Sequence, residues 1–480
     1  MDKKKNIQRS MLSDATLFRT SGASLVSGNR LRILRDGREN YPEWEAAIRS
    51  AKKTIHLEMY IIHNDNTGRH FRDLLVEKAR EGVKVKVLYD WFGSRSIIGR
   101  KMWKPLVEAG GESRSANPPK MSGLLGWLRR DHRKLLAVDG SVAFVSGLCI
   151  GDAWVGDVKA GVLPWRDTGL MIKGPAVADA EDSFADAWRI SGGYIDQTSL
   201  PRREDIAREG DVDVRLVAAS PETAGLYRLD LLVAASAQEY LWLTDAYFLG
   251  TSAYIQALRS AALDGIDVRL LVPQSSDIQW IANLSRGSYR SLLEAGVRVY
   301  EWNGTMVHAK TAVCDGLWAR IGSTNLNLSS WLGNWELDVV IENQEVAEKI
   351  AAMFLEDLEN ATEVVITENN KVRPVKRRGR SRHARIIRSS GQGVFTKAIT
   401  AGSALNAAVT GKRRLSKSES WPLFSIGLAL CAIALSVVLL PYAFAYSIAA
   451  GLTITGVFLL VKALRLKFPG QKNDQEGKED

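Results

Sequence analysis

Apolar and polar positions alternate with a period of two in short runs through most of the chain. "AREGVKVKVLYD" (79–90) and "ALDGIDVRLLVP" (262–273) each read as a helix end, a Gly and then an alternating strand. "SAKKTIHLEMYII" (50–62) and "SAQEYLWLTDAYFL" (236–249) each read as a helix end followed by a strand, and "PLVEAGG" (105–111) matches "SLLEAGV" (291–297). These pairs come in the same order, with loops of different length between them. Two copies of a β-α-β-α unit predict an α/β protein of two related halves, at 25–205 and 206–365, packed about a pseudo-twofold axis. A segment at 1–24 precedes them.

The pattern changes abruptly near the C-terminus. Trp421–Val461 runs without one charged residue. A spanning helix needs about 20 apolar residues, so the tract has room for two, with Pro441 and Tyr442 at a turn. We expect a transmembrane hairpin at 421–464; a buried soluble hairpin and a single kinked helix are the alternatives. The tail at 465–480 reads as disordered.

Charge sharpens this division. The net charge is +10, yet fourteen Lys and Arg and no Asp or Glu fall between 371 and 417, so the rest of the chain sums to −4. The basic stretch, taken as a linker over 366–420, abuts the apolar tract, and Lys462, Arg465 and Lys467 follow it. Cations on both flanks place them on the cytoplasmic side of a membrane, where each is worth about 1 kcal/mol near an anionic leaflet. We therefore expect an anionic membrane as a partner, and no nucleic acid, because the body lacks a basic working face. The three Cys, at 149, 314 and 431, show no metal or disulfide spacing.

The candidate chemistry lies in a repeat within the repeat. "RDHRKLLAVDG" and "MVHAKTAVCDG" share H-x-K-x-x-x-x-D, as His132, Lys134, Asp139 and His308, Lys310, Asp315, in a chain with six His. In a strand, i and i+2 share a face, so each His points with its Lys. Each Asp-Gly is a hairpin turn signal. The return strand after the second turn brings Ser323, Thr324 and Asn325 ("STN") back beside His308 and Lys310. Two such sets facing each other suit a phosphodiester. One imidazole attacks phosphorus and forms a covalent intermediate, and the other protonates the leaving oxygen and later activates an acceptor hydroxyl. The two Lys, with Ser323 and Asn325 as phosphate binders, hold the non-bridging oxygens. Cations built into the site leave no need for a metal or other cofactor. An imidazole nucleophile needs its second nitrogen held. Asp167 in "WRDTGL" and Glu336 in "NWELDV" sit at matching places, about thirty residues after each His motif, and are assigned as the carboxylates that orient the two His.

The paired motifs, with "GSTN" after the second, resemble the phospholipase D superfamily from about residue 25 to 362. "GNRLRILRDGRENYPEWEAAIRSAKKTIHLEMYI", the Asp90–Ser94 "D-x-x-GS" and "WRD" resemble bacterial cardiolipin synthases in particular. The resemblance implies two α/β halves with the site at their interface, His132 and His308 as the catalytic pair, with His132 as nucleophile, and Lys134, Lys310 and Asn325 as phosphate binders. It makes Asp139 and Asp315, which belong to the repeated catalytic motif, structural. It also implies a phosphatidyltransferase that joins phosphatidylglycerol molecules at the bacterial inner membrane, with the body on the cytoplasmic side. A hydrolase using water as acceptor would need the same residues; a nucleic-acid phosphodiesterase fits the acidic body poorly. The chain departs from the family pattern at Cys149, where the first half usually carries Asn.

Overall fold

The computed structural model describes residues 12–95, 101–118, 129–157, 161–221, 223–366 and 372–374, together with the single positions Leu428 and Thr453. The expected hairpin at 421–464, but for those two positions, and the tail at 465–480 lie outside the described residues. Among the described residues no helix is long and apolar enough to cross a membrane.

The first half runs α1 (Asp14–Ser21), β1 (Val26–Arg35), α2 (Asp36–Ser50), β2 (Thr54–Met59), α3 (Asn66–Arg80), β3 (Lys84–Asp90), α4 (Lys104–Glu108), β4 (Glu112–Ala116), β5 (Arg130–Asp131), β6 (Lys134–Val138), β7 (Val142–Ser146), β8 (Thr168–Lys173) and α5 (Val177–Ile190). The second runs β9 (Val212–Ala219), α6 (Gly225–Ser236), β10 (Tyr240–Thr244), α7 (Ser252–Leu263), β11 (Asp267–Pro273), α8 (Gln279–Glu294), β12 (Arg298–Trp302), β13 (Thr311–Cys314), β14 (Trp318–Gly322), α9 (Leu328–Leu332), β15 (Asn334–Glu342), α10 (Gln344–Glu359), β16 (Ala361–Ile366) and β17 (Val372–Pro374).

The strand pairings repeat. In the first half β4, β3 and β2 are parallel neighbours, and β6, β7, β8 and β1 continue the sheet antiparallel. In the second half β12, β11 and β10 are parallel, and β13, β14, β15 and β9 continue antiparallel. The two sheets join where Val26 and Asn29 of β1 meet Val214 and Val212 of β9.

Alternation in these strands sends one set of side chains outward under helices and the other inward. Outward strand residues Ile55, Leu57 and Val85 pack with Trp44 of α2 and Phe71 and Leu75 of α3 in the first half, and Leu241, Leu243 and Leu270 with Leu229 of α6 and Leu258 of α7 in the second. Inward residues make one core shared by both halves: Leu170 and Ile172 of β8, Leu337, Val339 and Ile341 of β15, and Phe184 of α5 with Ile350 of α10. A shared core forces the two sheets to meet face to face, and the site is built along that seam.

Two segments outside the halves carry elements of their own. The stretch at 1–24 contributes α1, whose Leu17 is 1% exposed and packs with the core under α6. The basic linker begins as a strand: Val372 and Arg373 of β17 pair with Ile366 and Val365 of β16 at the sheet edge, where Pro374 needs no ladder N–H.

Candidate active site

His132 and Lys134 emerge where β5 passes into β6; His308 and Lys310 stand just before β13. All four side chains are buried. The strands that carry them are clamped from the opposite half. Asn334 and Trp335 of β15 pair in parallel with Arg130 and Asp131, and the His132 N–H donates to the Trp335 carbonyl at 2.9 Å. The first half returns the contact: the Arg166 N–H donates to the Met306 carbonyl at 2.8 Å and the His308 N–H to the Arg166 carbonyl at 2.6 Å. Buried Arg166 secures this crossing with a two-pronged pair to Asp357 of α10, Nε to Oδ1 at 2.9 Å and a terminal nitrogen to Oδ2 at 2.9 Å.

This crossing decides how the carboxylates work. His132 Nδ1 lies 2.9 Å from Glu336 Oε2, and His308 Nδ1 lies 2.7 Å from Asp167 Oδ2. Each imidazole is therefore held by the carboxylate of the other half. With Nδ1–H donated to a carboxylate, the lone pair sits on Nε2 in both rings. Glu336 and Asp167 are fully buried; burial alone would raise them, but the facing His, helped by the Lys and neighbouring donors, holds both below the usual carboxylate range.

The two carboxylates have different supports. Glu336 accepts the Ser323 hydroxyl at 2.5 Å and the Asn334 amide at 3.2 Å. Asp167 accepts the Trp154 indole N–H at 3.0 Å and its neighbour Thr168 N–H at 2.8 Å. Ser323 was expected to bind phosphate. Its proton goes instead to Glu336 and its oxygen accepts the Leu337 N–H at 2.9 Å, so it steadies the carboxylate behind His132. Asn325 is buried, and its Oδ1 has no hydrogen-bond partner among the described residues.

The lysines also differ. Lys134 Nζ donates to the His132 carbonyl and lies 5.1 Å from the Tyr60 ring centre. Lys310 Nζ donates to the His308 carbonyl and sits 3.1 Å from His308 Nε2, the nitrogen with the lone pair. Aromatic rings wall both imidazoles: Tyr60 stands 4.6 Å from His132, and Trp165, Trp154 and Tyr247 stand 5.5, 5.6 and 5.9 Å from His308. Burial pushes His132 down to about 4, against Glu336 and aided by Lys134. Burial and then Lys310 push His308 down to about 3, against Asp167. Both imidazoles are thus neutral in the empty site at pH 7, and burial brings the Lys310 ammonium down to about 8.

Asp139 and Asp315 do not belong to this site, which corrects their grouping with the catalytic residues. They lie at the far ends of β6 and β13, each in the left-handed region (φ 54° and 51°) before a left-handed Gly. The Asp139 carboxylate accepts the N–H groups of Lys52, Lys53 and Thr54, and that of Asp315 accepts those of Gln238, Glu239 and Tyr240, all within 2.7–2.9 Å. They pin the hairpin turn to the start of the neighbouring strand.

Sequence reasoning overlooked Trp154, Tyr60, Tyr247 and Asp245. The two Tyr were visible as the shared aromatic in the 50–62 and 236–249 repeats. Trp154, in a short 3-10 turn at Asp152–Trp154, is matched in the repeat only by Trp331, one residue out of step, whose indole donates to Asp230 and not to a carboxylate that holds a His.

A site of two His, two Lys and two buried carboxylates, assembled across two matching halves, can be compared with known proteins. The family described as cardiolipin synthase, PLD-like domain, matches residues 45–153 and 232–358, one segment in each half. A cardiolipin synthase of Alkalihalophilus pseudofirmus is 35% identical over 339 residues, covering 69% of this chain and 67% of that protein. The chain belongs to the cardiolipin synthase family of phospholipase D-like proteins. Cardiolipin synthase A of Pseudomonas syringae is 34% identical, covering 75% of each chain, and the major cardiolipin synthase of Bacillus subtilis is 32% identical, covering 71% of each. The crystal structure of phosphatidylserine synthase from Haemophilus influenzae superposes with a TM-score of 0.58 at 16% identity over 72% of this chain and 90% of that one, a likeness of fold. Within this family the chain is a phosphatidyltransferase of the phospholipase D superfamily.

Proposed function

We propose that the protein makes cardiolipin from two molecules of phosphatidylglycerol through a phosphohistidine on His132. The supporting observation is the crossed pair of His–carboxylate contacts, which holds each ring by Nδ1 and leaves each Nε2 its lone pair. The halves differ in the Lys: Lys310 Nζ lies against the His308 ring, 3.0 Å from Nδ1 and 3.1 Å from Nε2, whereas among the described residues Lys134 makes no such contact with the His132 ring. His132 is therefore the nucleophile. As the substrate anion binds, His308 takes up a proton on Nε2 from water; His132 Nε2 then attacks phosphorus, the bond from phosphorus to the glycerol headgroup oxygen breaks, and that oxygen takes the proton from His308. A headgroup hydroxyl of the second phosphatidylglycerol then attacks the phosphohistidine. Its proton passes to His308, and His132 is released.

Lys134, Lys310 and Asn325 hold the non-bridging oxygens, whose charge must be stabilised as the phosphorus goes five-coordinate. A phosphodiester anion between the two ammonium groups offsets their push on His308, so the bound substrate helps that imidazole carry its proton. The segment 421–464 serves as the anchor at the bacterial inner membrane, with the basic stretch before it against the anionic leaflet and the body on the cytoplasmic side. Anchoring raises the effective concentration of two substrates confined to a bilayer.

The test is to incubate the purified full chain with headgroup-labelled phosphatidylglycerol in mixed micelles. Cardiolipin with released glycerol supports the reading. Phosphatidic acid alone would make water the acceptor and the protein a hydrolase.

A further inference from the structure

One buried carboxylate beside the site has no part in holding either His. Asp245 directly follows β10, where Thr244 pairs with Thr311, so Asp245 falls opposite Lys310. It is 0% exposed. Its carboxylate accepts the Leu326 N–H, at 2.9 Å to Oδ1 and 3.2 Å to Oδ2, and the Tyr247 N–H at 3.3 Å. Leu326 is the residue after Asn325, so this contact clamps the turn that presents the Asn325 amide.

The first half lacks both the carboxylate and the amide. At the equivalent register Met59 stands opposite Lys134. The equivalent backbone N–H, that of Ile150, donates to the Ile61 carbonyl at 3.1 Å, and the residue before it is Cys149. The next contact is the same in both halves: His63 N–H to Ile150 carbonyl and Leu249 N–H to Leu326 carbonyl, each 3.0 Å. The backbone is thus conserved between the halves while a main-chain acceptor has been exchanged for a charged one.

We infer that Asp245 is a positioning residue that makes the second half the phosphate-holding half, by fixing the Asn325 turn and keeping Lys310 charged. Its ionic surroundings suit this. Burial pushes the Asp245 carboxyl up to about 7, against the Leu326 and Tyr247 N–H groups and the Lys310 and Arg320 cations, so its charge is in place in the range where Lys310 titrates. Lys310 in turn is faced by His308, Asp167, Lys134, Asp245 and Cys149; burial lowers it, and Asp167 and Asp245 are the carboxylates that hold it up. Neutralising Asp245 removes one of the carboxylate supports for the ammonium.

Asp245→Asn keeps an acceptor for Leu326 and loses the charge; Asp245→Ala loses both. The first measurement needs no substrate and does not depend on the proposed reaction. The Lys310 Nζ signal is followed by NMR in protein carrying ¹⁵N-labelled lysine and assigned by its loss in Lys310→Ala. The wild-type midpoint is expected near 8, lower by about one pH unit in either Asp245 variant; one folded variant suffices. The second measurement rests on the phosphatidyltransferase reading. In Asp245→Asn, kcat/KM at pH 8.5 falls about tenfold more than at pH 6.5, as the ammonium titrates away earlier. In Asp245→Ala, KM for phosphatidylglycerol rises at every pH as well. A Lys310 midpoint unmoved in a folded variant overturns the inference whatever the enzyme's products are. An inactive wild type with a shifted midpoint overturns the reaction and leaves the electrostatic role of Asp245 intact.

Discussion

The two half-sites have the same backbone and different linings. Around His308, a Gly at position 147 makes room for a short carboxylate: a Cβ there would lie 2.2 Å from Asp167 Oδ1. The indole of Trp154 then supplies the donor. Around His132, the equivalent position is Ser323, whose hydroxyl reaches the longer Glu336. Small residue with Asp, hydroxyl with Glu: each pairing fills the same gap between strand and imidazole by a different route. The phosphate-binding positions diverge further, Cys149 and Met59 on one side against Asn325 and Asp245 on the other. Duplication explains the shared frame. Divergence at the lining is what the proposed reaction, with two unlike histidine roles, requires.

The largest effects should come from breaking the cation and carboxylate pairs. Lys310→Ala should lower kcat by about 10²-fold or more, as expected for loss of one transition-state donor. Lys134→Ala, on the half without Asn325 and Asp245, should also lower kcat, and the comparison shows which half bears more of the phosphate charge. Glu336→Gln and Asp167→Asn should separate the crossed wiring. Given an activated phosphatidyl ester, the first should block loading of label onto the protein, because His132 loses its tautomer. The second should allow loading and slow transfer to the acceptor. Loading that fails in Asp167→Asn and survives in Glu336→Gln would mean that the roles of the halves are reversed.

A smaller effect is expected from exchanging the packing solutions. Gly147→Ser forces its Cβ against a buried carboxylate and should lower stability by about 1–3 kcal/mol in denaturant unfolding, with reduced activity. Ser323→Gly removes a hydrogen bond to a charged acceptor and should cost about 1.5–3 kcal/mol without a steric clash. Equal, negligible effects would show the two pairings to be interchangeable.

The pH profile sharpens the same contrast. Lys310 must be protonated to stabilise the phosphate, so kcat/KM should decline as pH rises through about 8. EDTA should leave activity unchanged, since both cations are side chains; restoration of chelated protein by Mg²⁺ or Mn²⁺ would contradict this. The smallest catalytic effect belongs to Asp139→Asn and Asp315→Asn. Each should lower Tm by weakening three N–H contacts, while kcat per folded molecule stays close to wild type.

Much of this organisation is legible from sequence because duplication writes it twice. The period-two strands, the paired H-x-K triplets and the Asp-Gly turns recur in order, and matching positions pick out Asp167 and Glu336. Three things were not legible. The crossing of carboxylates between halves depends on β15 pairing with β5, a contact between segments about 200 residues apart with no local signature. The task of Ser323 depends on whether its hydroxyl points to phosphate or to Glu336, which "GSTN" does not say. Asp245 has Met59 at its register in the first half, and repeat matching is blind to such a residue.

The central claim is that His132 alone becomes phosphorylated while His308 moves protons. It is tested by presenting an ester with a good leaving group, ³²P-labelled in its phosphatidyl moiety, to His308→Asn and His132→Asn, quenching in alkali and mapping label by peptide sequencing. Loading from such an ester needs no general acid, whereas attack by the acceptor still needs a base. The account predicts label on His132 in the His308 variant and none in the His132 variant. Label on His308 in the His132 variant, or transfer activity in both variants without trapped label, would contradict it.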